Sequence, residues 1–360
     1  MNTAQRAAAL AETASRFPFL GEITAAGLLA LVAAELGHAG CLDDFVPVGE
    51  NLSRAVASGF ILHIISRNTP AAGLQSLIRG LLLGSHNLCK LPTGGLSELT
   101  EFRGALPPEL AKKVEFAEEL PDEWMKKADA VIVFGRDEVI ADVRRQTRPQ
   151  QTFIAHGHKL SFGIIFDDPR LDSCADAARD ASLFDQKGCL SPLIFYVKGD
   201  SRIYATRLAI EMERFNVQQP RGPLPPNEAN SIRAAREDLQ FRMANGEPIQ
   251  LWGSSGSTSW TVAFDGSPEF PQSPLNRFIF VKPLRAEFDE TLHKVRPHLS
   301  TAGIFPATLE NARQAAAWGF TRVCPIGRMQ FPPVTWHHDG QFVLAPLVRW
   351  VDAELENTRG

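Results

Sequence analysis

The clearest pattern along the chain is an alternation of short apolar runs with segments of helical period. Residues 60–66 (FILHIIS) and Ala130–Phe134 (AVIVF) are continuous runs of β-branched and aromatic residues, which is typical of buried strands. The segments between such runs carry apolar residues at helical spacing and predict helices. Strands that alternate with helices favour an α/β fold on parallel sheets.

The first predicted βαβ unit is the best defined. Asn68-Thr69-Pro70 turns the chain after the first strand, and Pro70 suits the first position of a helix. The helix is predicted over residues 71–83, with Gly84 as its stop. The next strand is predicted over residues 86–91. A strand, a helix and a strand of these lengths predict a parallel pair.

The alternation continues along the rest of the chain. One or two helices are expected in the first forty residues, and a proline-rich loop is expected over residues 218–227. Further strands are predicted at residues 163–166, 193–197, 276–281 and 303–305. Further helices are predicted at residues 122–127, 137–145, 171–184, 201–215, 287–295 and 309–318.

Composition narrows the class of protein. Of 360 residues, 44% are hydrophobic and 22% are charged, as in ordinary globular proteins. The net charge of −4 does not indicate a basic surface of the kind that binds nucleic acid. Five scattered cysteines do not form a disulfide framework and predict a reducing compartment. The apolar run at residues 25–34 is too short to span a bilayer. We therefore expect no membrane span and a cytoplasmic location.

Candidate chemistry gathers at one cysteine and two groups of histidines. Cys189 lies in a polar loop, residues 185–192, between a predicted helix and a predicted strand, where a thiol can meet a ligand. The first group of histidines is His156 and His158, and the second is the run His337-His338-Asp339. Their local spacing does not define a zinc site, so no metal is predicted.

Three anchors resemble the aldehyde dehydrogenase superfamily. Asn68-Thr69-Pro70 resembles its Asn-containing turn, and Lys90 lies 22 residues later, at the position of its cofactor-contacting lysine. Residues 155–159 (AHGHK) resemble the motif before the nucleophile and begin 34 residues ahead of Cys189. Residues 187–192, 329–333 and 336–340 resemble the branch of acyl-CoA reductases found in bacterial bioluminescence.

The resemblance implies a role for each matched residue. Cys189 is expected to be the nucleophile, and Asn68 to donate to the oxyanion together with the Cys189 amide. His156 and His158 lie in the segment that replaces the general-base motif, and one or the other is expected to supply a proton to the departing thiol or to the forming alkoxide. The expected cofactor contacts are Lys90, Gly135 and Arg136; the expected cofactor is NADP, with NADPH favoured over NADH and Arg136 as a partner for its 2′-phosphate.

One departure from the superfamily pattern carries information. Ala155 stands where hydrolytic members have a general-base glutamate. A methyl group cannot take a proton from water, so hydrolysis of a thioester intermediate loses its activator. The substitution favours formation of an aldehyde over its oxidation.

The resemblance also implies an organisation and an activity. It predicts N-terminal helices with a Rossmann-like nicotinamide-binding domain at residues 1–157, a catalytic domain at residues 158–330 and a tail at residues 331–360. The expected reaction is NAD(P)H-dependent reduction of acyl-CoA or acyl-carrier-protein to an aldehyde, with an acyl-activating partner enzyme and oligomerisation as further expectations. Two alternatives stay open: an acyl-phosphate reductase of the glutamyl-phosphate type, and a weakly active cofactor-binding subunit of a biosynthetic complex.

Overall fold

The structure is a computed structural model that describes residues 1–67 and 70–355. These residues form two compact units. The first comprises Met1–His158 together with the chain from Phe331 onward, and the second comprises Lys159–Gln330. The divisions lie within one residue of the boundaries expected after residues 157 and 330. The function of each unit stays a prediction.

Helices and strands alternate along most of the chain. In chain order the helices are α1 (Thr3–Ala14), α2 (Ala25–Leu36), α3 (Pro70–Leu83), α4 (Ser97–Ala105), α5 (Pro108–Ala111), α6 (Asp122–Lys127), α7 (Asp137–Gln146), α8 (Cys174–Ser182), α9 (Ser201–Gln218), α10 (Pro226–Ala244), α11 (Phe288–Leu292) and α12 (Leu309–Ala317). The strands are β1 (Val46–Val48), β2 (Asn51–Ala57), β3 (Phe60–Ile64), β4 (His86–Lys90), β5 (Val114–Ala117), β6 (Ala130–Phe134), β7 (Thr152–His156), β8 (Leu160–Ile165), β9 (Pro192–Val197), β10 (Ile249–Gly253), β11 (Thr261–Asp265), β12 (Phe278–Pro283), β13 (Leu299–Phe305), β14 (Arg322–Pro325) and β15 (Val348–Ala353).

A parallel five-stranded sheet organises the first unit. Its order is β5-β4-β3-β6-β7, and every residue of β6 is buried, as expected for a strand covered on both faces. The predicted first βαβ unit is confirmed: α3 joins β3 to the parallel β4, and Gly84 ends the helix at a φ of 85°. The chain order reverses between β3 and β6. In open α/β sheets, ligands bind at the carboxyl ends of strands beside such a reversal.

The first unit also contains an antiparallel sheet of order β1-β2-β15. The α/β class is confirmed, but the expectation of parallel sheets throughout is wrong here. Trp350 of β15 pairs with Ala55 of β2, so one strand comes from each end of the chain. Local periodicity carries no information about a partner so distant in sequence.

A seven-stranded sheet organises the second unit. Its order is β10-β11-β12-β9-β8-β13-β14; β10 is antiparallel to β11 and the other pairs are parallel. Strand β9 lies between β8 and β12, so the loop that precedes β9 leads into the central strand of the sheet. Phe162 of β8 and Phe278 of β12 are fully buried in the core beside it.

Several predictions for the second unit differ from the structure. The helix predicted over residues 171–184 is regular only in α8, because Phe184 and the next two residues are left-handed. The loop predicted over residues 218–227 is shorter, since α9 runs to Gln218 and α10 begins at Pro226. Helix α10 was not predicted; it buries only Ile232 and Leu239, so its amphipathic pattern is weak.

Within the described residues, one stretch, Pro18–Leu36, is long and apolar enough to cross a membrane by length and composition. In the structure it is divided into a 3₁₀ turn at Pro18–Leu20 and the separate helix α2. Leu28 and Leu31 of α2 are fully buried in the core of the first unit.

Candidate functional site

Cys189 lies in the turn between α8 and β9, where the sequence places it on a loop. Its side chain is half-buried. Its carbonyl accepts a hydrogen bond of 2.7 Å from Ser161 Oγ on β8, and the Ser191 N–H donates to the Gly188 carbonyl at 3.0 Å. The backbone around the thiol is therefore fixed to the neighbouring strand.

The other four cysteines lie in different environments. Cys41, Cys89 and Cys174 are buried, and Cys324 is on strand β14. Burial raises the pKa of Cys174 to about 12 and that of Cys324 to about 11. Because the thiolate is the nucleophile, such burial makes a thiol inert. Among these cysteines, Cys189 is the one that is both half-buried and outside the helices and strands.

The chain reaches Cys189 through three successive left-handed residues. Phe184, Asp185 and Gln186 have φ values of 54°, 52° and 62°. Such residues are strained when they are not glycine and persist where the surroundings determine them. Gln186 is 1% exposed: its amide donates to the Pro192 carbonyl at 2.9 Å and to the Phe278 carbonyl at 3.1 Å, and its oxygen accepts the Phe278 N–H at 2.8 Å. One side chain thus ties the turn to β9 and β12.

The same turn is joined to a second left-handed run. Residues 275–277 have φ values of 59°, 59° and 66°. Arg277, 5% exposed, donates from Nε to Asp185 Oδ1 at 2.9 Å, and its Nη2 lies 2.8 Å from the same oxygen. Burial lowers the pKa of Arg277, and Asp185 opposes that effect.

The far side of the loop rests on Asp180 and Gln330. The Gln330 amide donates to Ser191 Oγ and to the Asp180 carbonyl, both at 2.9 Å. The Asp180 carboxylate accepts the backbone N–H groups of Gly327 at 2.5 Å and Met329 at 3.2 Å. Burial nevertheless raises the pKa of Asp180 to about 7, because the side chain is removed from water.

A buried guanidinium lies in the same unit. Arg322 donates from Nη1 to the Met329 carbonyl at 2.7 Å and from Nη2 to the Arg328 carbonyl at 2.8 Å. Burial lowers the pKa of Arg322, and the ionised forms of Cys324, Asp180 and Cys189 oppose that effect.

The predicted cofactor residues share one edge of the five-stranded sheet. Lys90 is the last residue of β4, and Gly135 follows the last residue of β6, so both lie at the carboxyl edge. Arg136 is exposed at the start of α7. Strand β3 lies between β4 and β6, so it separates Lys90 from Gly135 beside the reversal of strand order.

The predicted proton donors differ in their surroundings. His156 ends β7 and is 8% exposed, whereas His158 is exposed. His156 Nδ1 lies 2.8 Å from Asp339 Oδ2. The His156 ring stacks on Phe134 at 4.7 Å and on His338 at 4.1 Å. The structure therefore brings the two histidine groups of the sequence together through His156, His338 and Asp339.

Asn68, the predicted oxyanion donor, lies outside the described residues. Several supporting residues were missed by the sequence analysis, among them Gln186, Asp180 and Arg322. Gln186 had a local signal, since it is a polar residue three positions before the nucleophile. Asp180 and Arg322 had none, because their partners come from other strands and loops.

Comparison with known proteins identifies the family to which the sequence belongs. The sequence model of the acyl-CoA reductase (LuxC) family matches residues 21–350. The long-chain acyl-protein thioester reductase of Aliivibrio fischeri is 24% identical over 343 residues, covering 90% of this chain and 70% of that protein. The reductase of the same name from Photorhabdus luminescens is 26% identical over 349 residues, covering 91% and 70%.

Solved structures agree on the fold. The putative aldehyde dehydrogenase PutA of Anabaena variabilis matches with a TM-score of 0.68 at 13% identity, over 99% of this chain and 89% of that one. Aldehyde dehydrogenase 21 of Physcomitrella patens matches with a TM-score of 0.69 at 12% identity, over 100% and 87%. The predicted aldehyde dehydrogenase-like fold is confirmed, and the chain belongs to the acyl-CoA reductase (LuxC) family.

Proposed function

We propose that this protein reduces an acyl thioester to an aldehyde through an acyl-cysteine at Cys189. The observation that carries the proposal is the fixed, half-buried loop that presents Cys189 in a family of acyl-CoA reductases. The names of the relatives, long-chain acyl-protein thioester reductases, support a thioester substrate with a long acyl chain.

The chemistry begins with attack of the Cys189 thiolate on the thioester carbonyl. The tetrahedral oxyanion is assigned to the Cys189 amide and to Asn68, where fixed donors typically give about 10²–10³ in rate each. Collapse breaks the bond to the departing thiol, which leaves with a proton, and acyl-Cys189 remains. A reduced nicotinamide, when bound, supplies hydride to the acyl carbon. Hydride addition would leave a thiohemiacetal oxyanion on Cys189; its collapse breaks the carbon–sulfur bond with the electron pair going to sulfur, which releases the aldehyde and restores the Cys189 thiolate.

The carboxyl edge of the five-stranded sheet suits a dinucleotide in part. Lys90 and Arg136 supply cations there, and Val139, 37% exposed, supplies apolar surface. The first turn of α7, however, carries Asp137 and Glu138. Their charge opposes the attraction of a helix N-terminus for phosphate. We propose that a nicotinamide dinucleotide is nevertheless held through Lys90 and Gly135, with Arg136 as the 2′-phosphate partner that favours NADPH.

The test uses intact mass and turnover together. Incubation with a long-chain acyl-CoA is expected to add one acyl group to the protein, and Cys189→Ala is expected to abolish both the adduct and aldehyde formation. Cys324→Ala is the matched control, because Cys324 is half-buried in the same unit but lies on a strand. Near-normal turnover by Cys189→Ala would overturn the proposal.

The finer assignments are also proposals. Acyl-CoA and acyl-carrier-protein are the proposed donors, and a comparison of both with NADPH and NADH separates them. An acyl-activating partner enzyme, an oligomer and a cytoplasmic location remain proposals of the same standing. An acyl phosphate that reacts while thioesters do not would favour the acyl-phosphate alternative. Absence of any adduct would favour the cofactor-binding subunit.

A further inference from the structure

Two arginines of the second unit are half-buried without a carboxylate partner. Arg221 lies in the loop between α9 and α10, and Arg236 lies on α10. Among the residues that the structure describes, neither makes an ion pair, whereas the neighbouring Arg277 pairs with Asp185 at 2.8 Å. A charge that is removed from water costs free energy unless an opposite charge or hydrogen bonds compensate for it. The two arginines therefore present positive charge to which an anion can bind.

The two arginines are joined by the loop of a β-hairpin. Residues 254–260 (SSGSTSW) connect β10 to the antiparallel β11. Arg236 Nη1 donates to the Ser257 carbonyl at 2.7 Å, and Arg221 Nη2 donates to Thr258 Oγ1 at 3.0 Å. Two guanidinium groups thus contact adjacent residues of a loop in which five of seven side chains carry a hydroxyl. Guanidinium and hydroxyl groups are both donors to phosphate oxygens.

The two arginines use their donors differently. Arg236 bonds from all three of its nitrogen atoms, with Nε donating to Thr261 Oγ1 at 2.8 Å and Nη2 to the Trp260 carbonyl at 2.6 Å, and these bonds fix the loop. Arg221 bonds only from its two Nη atoms, to the loop and to the Asn276 carbonyl at 3.0 Å. Its Nε is buried and, among the described residues, has no acceptor. Since a guanidinium carries five N–H groups in a fork that matches phosphate, Arg221 has more donors left for a ligand.

This cluster is connected to the loop that presents Cys189. Arg221 bonds the Asn276 carbonyl, and the next residue, Arg277, donates to Asp185 at 2.9 Å. Asp185 precedes Cys189 by four residues. Burial lowers the pKa of Arg221, Asp185 opposes that effect, and the charge of Arg277 adds to it. An anion beside Arg221 would offset both the burial and the repulsion between the two guanidinium groups, and every residue of this connection belongs to the second unit.

We propose that Arg221 and the loop between β10 and β11 bind the phosphate of a phosphopantetheine thioester, the group that acyl-CoA and acyl-carrier-protein share. The inference rests on the proposed function, because it assigns a place to part of the substrate of Cys189. The pantetheine arm separates the thioester sulfur from the phosphate, so the phosphate binds away from the thiol but on the same unit. Residues 255–257 are exposed, so the loop is open to a ligand from solvent. Arg221 supplies the charge, and hydroxyl groups of the loop supply further donors.

Calorimetric titration with phosphopantetheine and with pantetheine, which differs only in lacking the phosphate, tests this role. The unmodified protein is expected to bind phosphopantetheine more tightly than pantetheine. Arg221→Gln is expected to reduce that preference about 10-fold, the size of one hydrogen bond to a charged group. Arg233→Gln is the matched control, because Arg233 is an exposed arginine on α10, and it is expected to keep the preference.

A second variant decides the matter if Arg221→Gln does not fold. Ser255→Asp places a carboxylate on an exposed part of the loop and is expected to weaken phosphopantetheine binding by repulsion, with pantetheine binding as the internal control. CoA and a phosphopantetheine-bearing carrier protein are expected to lose affinity for this variant to a similar extent. A loss with only one of the two would show that a group other than the shared phosphate is bound, and it would overturn the proposal.

Other results would overturn the proposal as well. Equal binding of phosphopantetheine and pantetheine by the unmodified protein would show that the phosphate is not bound. Equal weakening of both by Arg221→Gln would show that Arg221 acts only on the fold, and weakened binding of NADPH instead would assign the subsite to the cofactor. These titrations require no turnover. If phosphopantetheine binds through Arg221 but no acyl adduct forms on Cys189, the proposed function fails and the phosphate subsite stands.

Discussion

Gln186→Ala is expected to destabilise the second unit by about 3 kcal/mol. The side chain makes three hydrogen bonds to backbone groups of Pro192 and Phe278 and is 1% exposed. Its removal takes away all three hydrogen bonds in a buried place, and of the groups involved the Phe278 carbonyl keeps a hydrogen bond of 3.2 Å from Ser273 Oγ. The net loss is about 1 kcal/mol for each hydrogen bond, and more where the group stays dry. Alanine also keeps the strain of a left-handed residue, so the substitution brings no compensating relief.

Urea unfolding followed by tryptophan fluorescence measures this loss, and hydrogen exchange of the β9 and β12 amides locates it. Gln240→Ala is the matched control, because Gln240 is an exposed glutamine on α10 of the same unit. An exposed substitution of this kind is expected to change the free energy of unfolding by less than about 0.5 kcal/mol.

The reactivity of Cys189 gives a functional reading of the same variant. If Gln186 fixes the turn, its loss is expected to change the rate at which iodoacetamide alkylates Cys189, at urea concentrations where the protein remains folded. A destabilisation below about 1 kcal/mol together with unchanged alkylation would refute the reasoning. It would mean that the backbone groups of β9 and β12 find other partners.

Two further predictions concern titration and product. Burial raises the pKa of Asp180 to about 7, so its contribution to stability is complete below the pKa that Asp180 has in the unfolded chain and is lost as pH rises through about 7. Urea unfolding measured from pH 4 to 8 should show the free energy of unfolding decline over this range, and Asp180→Asn should make that decline smaller. Ala155→Glu supplies the missing base and should shift product from aldehyde toward free acid, measured as a product ratio with and without NADPH; rapid acid release by the unmodified protein without cofactor would contradict the importance of Ala155.

The parts of the fold that could be predicted are those whose signal is local. The predicted bounds of α6 and β6 agree with the structure, because a run such as AVIVF is apolar throughout and is bordered by polar residues. The loop position of Cys189 was predicted for the same reason, since the polar stretch around it separates α8 from β9. Local pattern determines an element when burial is nearly complete on one or both faces.

The parts that could not be predicted depend on distant partners. Strand β15 was assigned to a tail, yet it pairs with β2 at the other end of the chain. Asp339 was seen only as part of a histidine-rich run, because nothing near it in sequence indicates that His156 is its partner. The sequence analysis did not use Asp339-Gly340 as a turn signal, and a turn does not reveal which residue its side chain contacts.

The turn before Cys189 contains strained backbone that neighbouring residues stabilise through hydrogen bonds. Residues 184–186 and 275–277 are left-handed without glycine, at about 1 kcal/mol or more for each residue. Hydrogen bonds join the two runs: Arg277 donates to Asp185, and the backbone N–H of Phe278, the residue after the second run, donates to Gln186. Hydrogen bonds from Arg277 and Phe278 therefore hold the turn that precedes Cys189. A substitution at Gln186 is for this reason expected to alter both stability and thiol reactivity.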